Sequence, residues 1–223
     1  MFDESWLKRD IFITAFTHRS YLNEVTNPIE SNERLEFLGD SVLSFIMSSY
    51  IYKKRPEDSE GLLTNLRSYI VKTPSLALAA KDLDLGKYLR LSKGEELSGG
   101  RENPQLLANT YEAVLGAIYL DQGIEVAEKF VFTTLLPLFE KEISIGPPKD
   151  AKSQLQEMTQ NQTKQSPKYK ILETSGPDHA KVFTVGVFLQ GKQIGKGEGS
   201  SKQIAEEKAA EVALIHFPIK SAN

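Results

Sequence analysis

A chain of 223 residues with 40% apolar content is long enough for one large domain or two small ones and can build packed cores. The net charge of −3 argues against a protein that grips nucleic acid with its whole surface, and the absence of cysteine excludes disulfides and thiolate metal sites. No apolar run approaches the ~18 residues of a membrane helix, and residues 1–5 are acidic where a secretory signal is basic, so the expectation is a cytoplasmic protein with no membrane partner.

Apolar residues at three- and four-residue spacing predict helices over 12–21, 34–52, 62–71, 74–83, 104–120 and 124–141. Breakers separate them: Asn27-Pro28, Arg55-Pro56, Thr73-Pro74, Gly99-Gly100 and Gln122-Gly123. Residues 1–143 therefore read as an all-α domain. In 144–149, Ser-Ile-Gly-Pro-Pro-Lys, two prolines after a glycine cannot continue a helix and form a stiff linker. Beyond it the period changes. Ala151, Leu155 and Met158 make one helical stripe, and strand character follows over 168–173 and 182–190, where Phe183, Val185, Val187 and Leu189 alternate. After a turn at Gln190-Gly191-Lys192, residues 193–197 form a short third strand. Residues 201–216 are helical, with Ile204, Ala205, Ala209, Val212 and Ile215 inward. Residues 150–218 thus form an α+β domain of order α-β-β-β-α. Charge divides along the same line: 17 basic against 22 acidic residues in 1–149, and 10 against 8 in 150–223.

Residues 32–43 are the most informative segment. At 100° per residue, Glu33, Glu36 and Asp40 fall within an arc of roughly 60°, and none has a basic residue three or four positions on. Leu35, Leu38, Val42, Phe45 and Ile46 fill an opposite arc of about 100° that suits a buried face. Three unpaired carboxylates on an anchored helix are relieved by a hard divalent cation, which takes oxygen ligands; the plain alternative is a solvated acidic face at a helix N-terminus. Phe37 falls off the apolar arc, beside the carboxylates, where a large aromatic is exposed unless a partner covers it. Asn109 and Glu112 share a helix face further on, and Glu60 opens a helix, where capping is its ordinary role.

The string Asn32-Glu33-Arg34-Leu35-Glu36-Phe37-Leu38-Gly39-Asp40-Ser41 resembles the signature of ribonuclease III, the double-strand-specific RNA endonuclease. Phe16-Thr17-His18-Arg19-Ser20-Tyr21 looks like that family's early helix, with His18 a hydrogen-bonded structural residue rather than a base. The resemblance implies a metal-binding core of Glu36, Asp40, Asn109 and Glu112, with Asp40 and Glu112 catalytic and Glu33 and Glu60 in an acidic shell. It implies Mg²⁺, with Mn²⁺ as substitute, hydrolysis to 5′-phosphate and 3′-hydroxyl ends, and a homodimer in which Phe37 anchors the partner. It implies rRNA precursors and structured mRNA as substrates. Asn109 departs from the family, where Asp is usual: an amide oxygen still ligates but brings no charge. That departure supports the rival reading, a catalytically weakened or inactive double-stranded-RNA binder on the same fold.

Residues 150–217 resemble the double-stranded RNA-binding domain, which reads duplex shape across successive minor grooves. By that resemblance Gln154, Glu157 and His179 reach ribose hydroxyls, while Ser201 and Lys202 meet phosphate. Lys202 sits in a helix's first turn, unfavourable for a cation but apt beside free N–H groups that bind phosphate. The family usually carries two adjacent lysines there; here the second is Gln203, which thins the grip.

Overall fold

The computed structural model describes residues 4–148, 150–177 and 181–216. They divide into two compact units, with the boundary along the chain between Pro147 and Pro148.

The first unit is helical: α1 (Asp10–Ala15), α2 (Glu33–Lys54), α3 (Glu60–Ile70), α4 (Thr73–Asp82), α5 (Lys93–Leu97), α6 (Pro104–Gln122), α7 (Ile124–Thr134) and α8 (Glu140–Ile145), with short 3₁₀ turns between. Helix α6 is central. Asn103 caps it, its Oδ1 accepting from the N–H of Gln105 at 2.9 Å, and Pro104 pre-sets the first turn. Between Leu107 and Ile118 only Asn109 and Glu112 escape full burial, so those two polar side chains break an otherwise enclosed helix.

Helix α2 lies directly on α6. A Cβ on Gly39 would stand 1.8 Å from the carbonyl oxygen of Glu112, and one on Gly116 would stand 2.3 Å from that of Leu35. Each glycine costs a helix about 1 kcal/mol relative to alanine, a penalty outweighed here because nothing larger permits the approach. The crossing holds the acidic turns of α2 beside the one polar turn of α6.

Four local expectations give way. The helix predicted over 12–21 stops at Ala15, because the backbone around Thr17 pairs with a distant segment: Arg90 N–H donates to the Phe16 carbonyl at 2.8 Å, and His18 N–H donates to the Arg90 carbonyl at 3.1 Å. Arg19–Glu24 then continues as a 3₁₀ helix. The helix over 124–141 breaks at Leu135, since Pro137 lacks the N–H that would continue it, and Leu136–Phe139 tightens to 3₁₀. Phe45, expected in the core, is 60% exposed; it shares an outer stripe of α2 with Phe37 (78%) and Tyr52 (71%). Helix α8 runs to Ile145, so the first two residues of the expected linker are helical; Lys149 lies outside the described residues.

The second unit comprises α9 (Ala151–Thr163), β1 (Lys168–Ser175), β2 (Val182–Leu189), β3 (Lys192–Gly199) and α10 (Lys202–His216), with the strands in one antiparallel sheet of order β1-β2-β3. Gln190 and Gly191 both have positive φ (52° and 79°), the geometry of a tight two-residue hairpin joining β2 to β3. The expected inner stripe of α10 needs correction. Ala205, Ala209, Ala210 and Ala213 are buried, while Ile204, Val212 and Ile215 are exposed. Alternate glycines of β3 explain it: Cβ atoms on Gly195 and Gly197 would lie 2.3 Å from backbone atoms of Ala209. The helix seats its smallest side chains on the flattest strand face, and the larger apolar residues turn outward. Among the described residues no helix is long and apolar enough to cross a membrane.

Candidate functional site

Where α2 crosses α6, Glu36 and Asp40 face Glu112. Glu112 is largely enclosed, and burial pushes its carboxyl up to about 8, with Asp40 and Glu36 adding repulsion. Glu36 is raised for the same reason, burial first and then the Glu33 charge, with a hydrogen bond from Asn109 pulling the other way. The three carboxylates therefore sense one another across the helix pair. Among the described residues no group of three or more acidic or histidine side chains is arranged to hold a metal ion as they stand.

Asn109 stands beside Glu36, but its oxygen is engaged: Gln105 Nε2 donates to Asn109 Oδ1 at 2.7 Å, leaving the amide N–H groups for Glu36. Glu33 is not unpaired, as its own helix suggested. Its Oε1 lies 3.6 Å from Arg19, and its Oε2 accepts from the Ser31 hydroxyl at 2.9 Å. Glu60 opens α3, accepts from the Thr64 hydroxyl at 3.0 Å, and lines a separate groove beside Phe45 and Tyr52. His18 caps the 3₁₀ turn, Nδ1 accepting from Ser20 N–H at 3.3 Å and meeting the Ser20 hydroxyl at 2.9 Å. Burial lowers its pKa from the ordinary histidine value.

In the second unit, Gln154 and Glu157 are exposed on α9, one turn apart, to one side of buried Ala151 and Leu155. Lys202 is exposed in the first turn of α10, and Ser201 caps that helix by accepting from Ile204 N–H at 3.3 Å. His179 lies outside the described residues, as do residues 217 and 218 at the end of the expected domain.

Sequence reasoning missed Gly39, Gly116, Gln105 and Arg19. The glycines carried a signal, being helix-interior glycines among apolar neighbours, which mark close approach. Gln105 is one turn before Asn109 and was open to the same spacing argument. Arg19 had none, because the turn that presents it depends on pairing with Arg90.

The first unit matches the family model described as ribonuclease-III-like over residues 8–138, and the second matches the double-stranded RNA binding motif over 151–216. Ribonuclease 3 of Desulforamulus reducens is 46% identical over 95% of this chain and 87% of its own length. That of Geobacillus thermodenitrificans is 48% identical over 92% and 83%. The solved structure of the nuclease domain of Campylobacter jejuni ribonuclease III, described as flexible in a region involved in dimer formation, superposes with a TM-score of 0.55 at 36% identity, covering 63% of this chain and 92% of that domain. The helical unit with its crossed acidic helices and the α-β-β-β-α unit that follows it in the chain are thus the two parts of an endoribonuclease, and the chain belongs to the ribonuclease III family.

Proposed function

We propose that the chain hydrolyses double-stranded RNA in a Mg²⁺-dependent reaction, leaving 5′-phosphate and 3′-hydroxyl ends, and acts as a cytoplasmic homodimer on rRNA precursors and structured mRNA. The observation that carries this reading is the Gly39–Gly116 crossing, which sets Glu36 and Asp40 against a half-buried Glu112. The donor set fits a hard divalent cation: it is all oxygen, and its mutual repulsion is what such a cation relieves. When bound, the metal supplies an activated water and charge neutralisation at the leaving oxygen, with Mn²⁺ a possible replacement.

The residues divide the work. Glu36, Asp40 and Glu112 hold the cation, with Asp40 and Glu112 nearest the chemistry. Asn109 orients Glu36 through its amide and ligates only by exchanging Gln105 for the metal. Glu33 and Glu60 contribute negative potential around this core. Gln154, Glu157 and His179 follow the minor groove, while the N-terminus of α10 with Ser201 and Lys202 holds phosphate. Incubating labelled perfect duplex RNA with the protein and Mg²⁺, then determining the end groups, tests the reaction. Cutting undiminished by a chelator, or 3′-phosphate products, would refute it.

Two variants test the surfaces. Lys202→Ala is expected to weaken binding to every duplex and to make the plot of log K against log salt shallower by about 1, as loss of one phosphate contact requires. A loss confined to one RNA sequence contradicts shape reading. Phe37→Ala is expected to shift the protein toward monomer, because Phe37, Phe45 and Tyr52 form an exposed stripe and an aromatic anchor in a two-fold contact counts twice. Sedimentation as an unchanged dimer, near the parent's dissociation constant, removes Phe37 from the interface.

A further inference from the structure

The recess beside the carboxylates is lined by His18, Arg19, Asn32, Glu33, Glu36 and Asn109. A duplex must bring a phosphodiester, itself an anion, against that acidic lining. The His18 Nδ1 is engaged by Ser20, and Arg19, whose guanidinium keeps its charge at any working pH, is the permanent cation among those six. We infer that Arg19 is a substrate-contacting residue that binds a backbone phosphate at the lip of the site, exchanging Glu33 for the RNA.

Three observations carry this. The backbone that presents Arg19 is fixed: Tyr21 N–H donates to the His18 carbonyl at 2.9 Å, and the residues before it are pinned to Arg90 on both sides of the break in the helix. The side chain by contrast is 72% exposed and lines the recess. Its pairing with Glu33 is loose, at 3.6 Å with Glu33 56% exposed, and an ion pair so exposed contributes little. Glu33 keeps its Ser31 hydrogen bond when Arg19 leaves. A planar guanidinium offers a phosphate two parallel N–H donors, stronger than what it gives up. Glu33 thus serves as a rest position that keeps the long side chain aimed at the site between substrates.

The inference rests on the proposed duplex-cleaving function. Its test is steady-state cleavage of perfect duplex RNA in Mg²⁺ by the full-length parent, Arg19→Ala and Arg19→Lys over a range of salt, with thermal midpoints alongside. Arg19→Ala is expected to lose about tenfold in kcat/KM, the consequence of one charge-assisted contact, with a log–log salt slope shallower by about 1. Arg19→Lys is expected to keep the parent's slope and recover part of the rate, and the Mg²⁺ concentration for half-maximal rate is expected to stay the same in both. An unchanged slope in Arg19→Ala while the parent cuts normally overturns the assignment of Arg19 alone. So does a lysine variant as impaired as the alanine one with an equally lowered thermal midpoint, since Arg19 would then act only by tying down Glu33. A parent that does not cut removes the proposed function, and this inference with it.

Discussion

Glu112→Gln is expected to abolish duplex cleavage while leaving duplex binding within a few fold, because it removes a carboxylate from the crossing while the RNA-binding motif lies in residues 151–216. The same change is expected to stabilise the metal-free protein at alkaline pH. Burial and the charges of Asp40 and Glu36 raise Glu112 to about 8 from an ordinary 4.5. A carboxyl raised on folding is protonated in the native state where the unfolded chain has already ionised. The parent therefore loses stability as pH rises through the window between about 4.5 and about 8. Glutamine has no such window. The two proteins should unfold alike near pH 4 and diverge toward pH 8, where the variant gains on the order of 1–2 kcal/mol once solvent screening is allowed for, several degrees in thermal midpoint. Midpoints that stay parallel across this range would show that Glu112 ionises freely and that the carboxylates do not meet. Saturating Mg²⁺ should narrow the difference, since a bound cation stabilises the ionised parent.

Gly39→Ala is the second large effect. Alanine is the better helix former, by about 1 kcal/mol, so helix propensity alone predicts a gain. The new methyl group, however, would lie 1.8 Å from the Glu112 carbonyl oxygen, which is backbone and cannot rotate away. The expected result is destabilisation of the helical unit by about 3 kcal/mol, with a loss of cleavage beyond what the unfolded fraction explains, because separating α2 from α6 separates Glu36 and Asp40 from Glu112. Gly61→Ala is the control: that glycine is also helical and has nothing within 4 Å of the added methyl, so alanine there should be neutral or mildly stabilising. Denaturant unfolding of both variants, followed by helix signal, checks the contrast. Equal stability of Gly39→Ala and the parent would remove the close crossing.

What sequence could reveal here was whatever local period and chemistry encode. Apolar spacing and the Pro and Gly breakers placed α2, α3, α4 and α6, and alternation placed β2, because each depends mainly on the chain's own repeat. The arc of Glu33, Glu36 and Asp40 was equally legible, since it needs only a helix. Expectations failed where a distant partner decided. The early helix is broken at Thr17 by pairing with Arg90, 73 residues away. Phe45 has the composition of a core residue but lies on the side of α2 that α6 does not cover. In α10 hydrophobicity pointed to Ile204, Val212 and Ile215, whereas the flat glycine face of β3 selects the alanine side. Pro137 was a local signal overlooked in a long apolar run. At the site, composition named the carboxylates, but not the hydrogen bond that occupies the Asn109 oxygen or the ion pair that holds Glu33 to Arg19.

The central claim is that the α2–α6 crossing assembles Glu36, Asp40 and Glu112 into a site for a divalent cation. The direct measurement is calorimetric titration of Mg²⁺ into the full-length protein near pH 7, in two buffers of different ionisation enthalpy, for the parent and Glu112→Gln. With Glu112 raised to about 8, the parent should bind saturably and release close to one proton per site as that carboxyl ionises on the metal, and the variant should lose that release together with most of the affinity. Absence of saturable binding by the parent, or an equal proton release from Glu112→Gln, would contradict the claim.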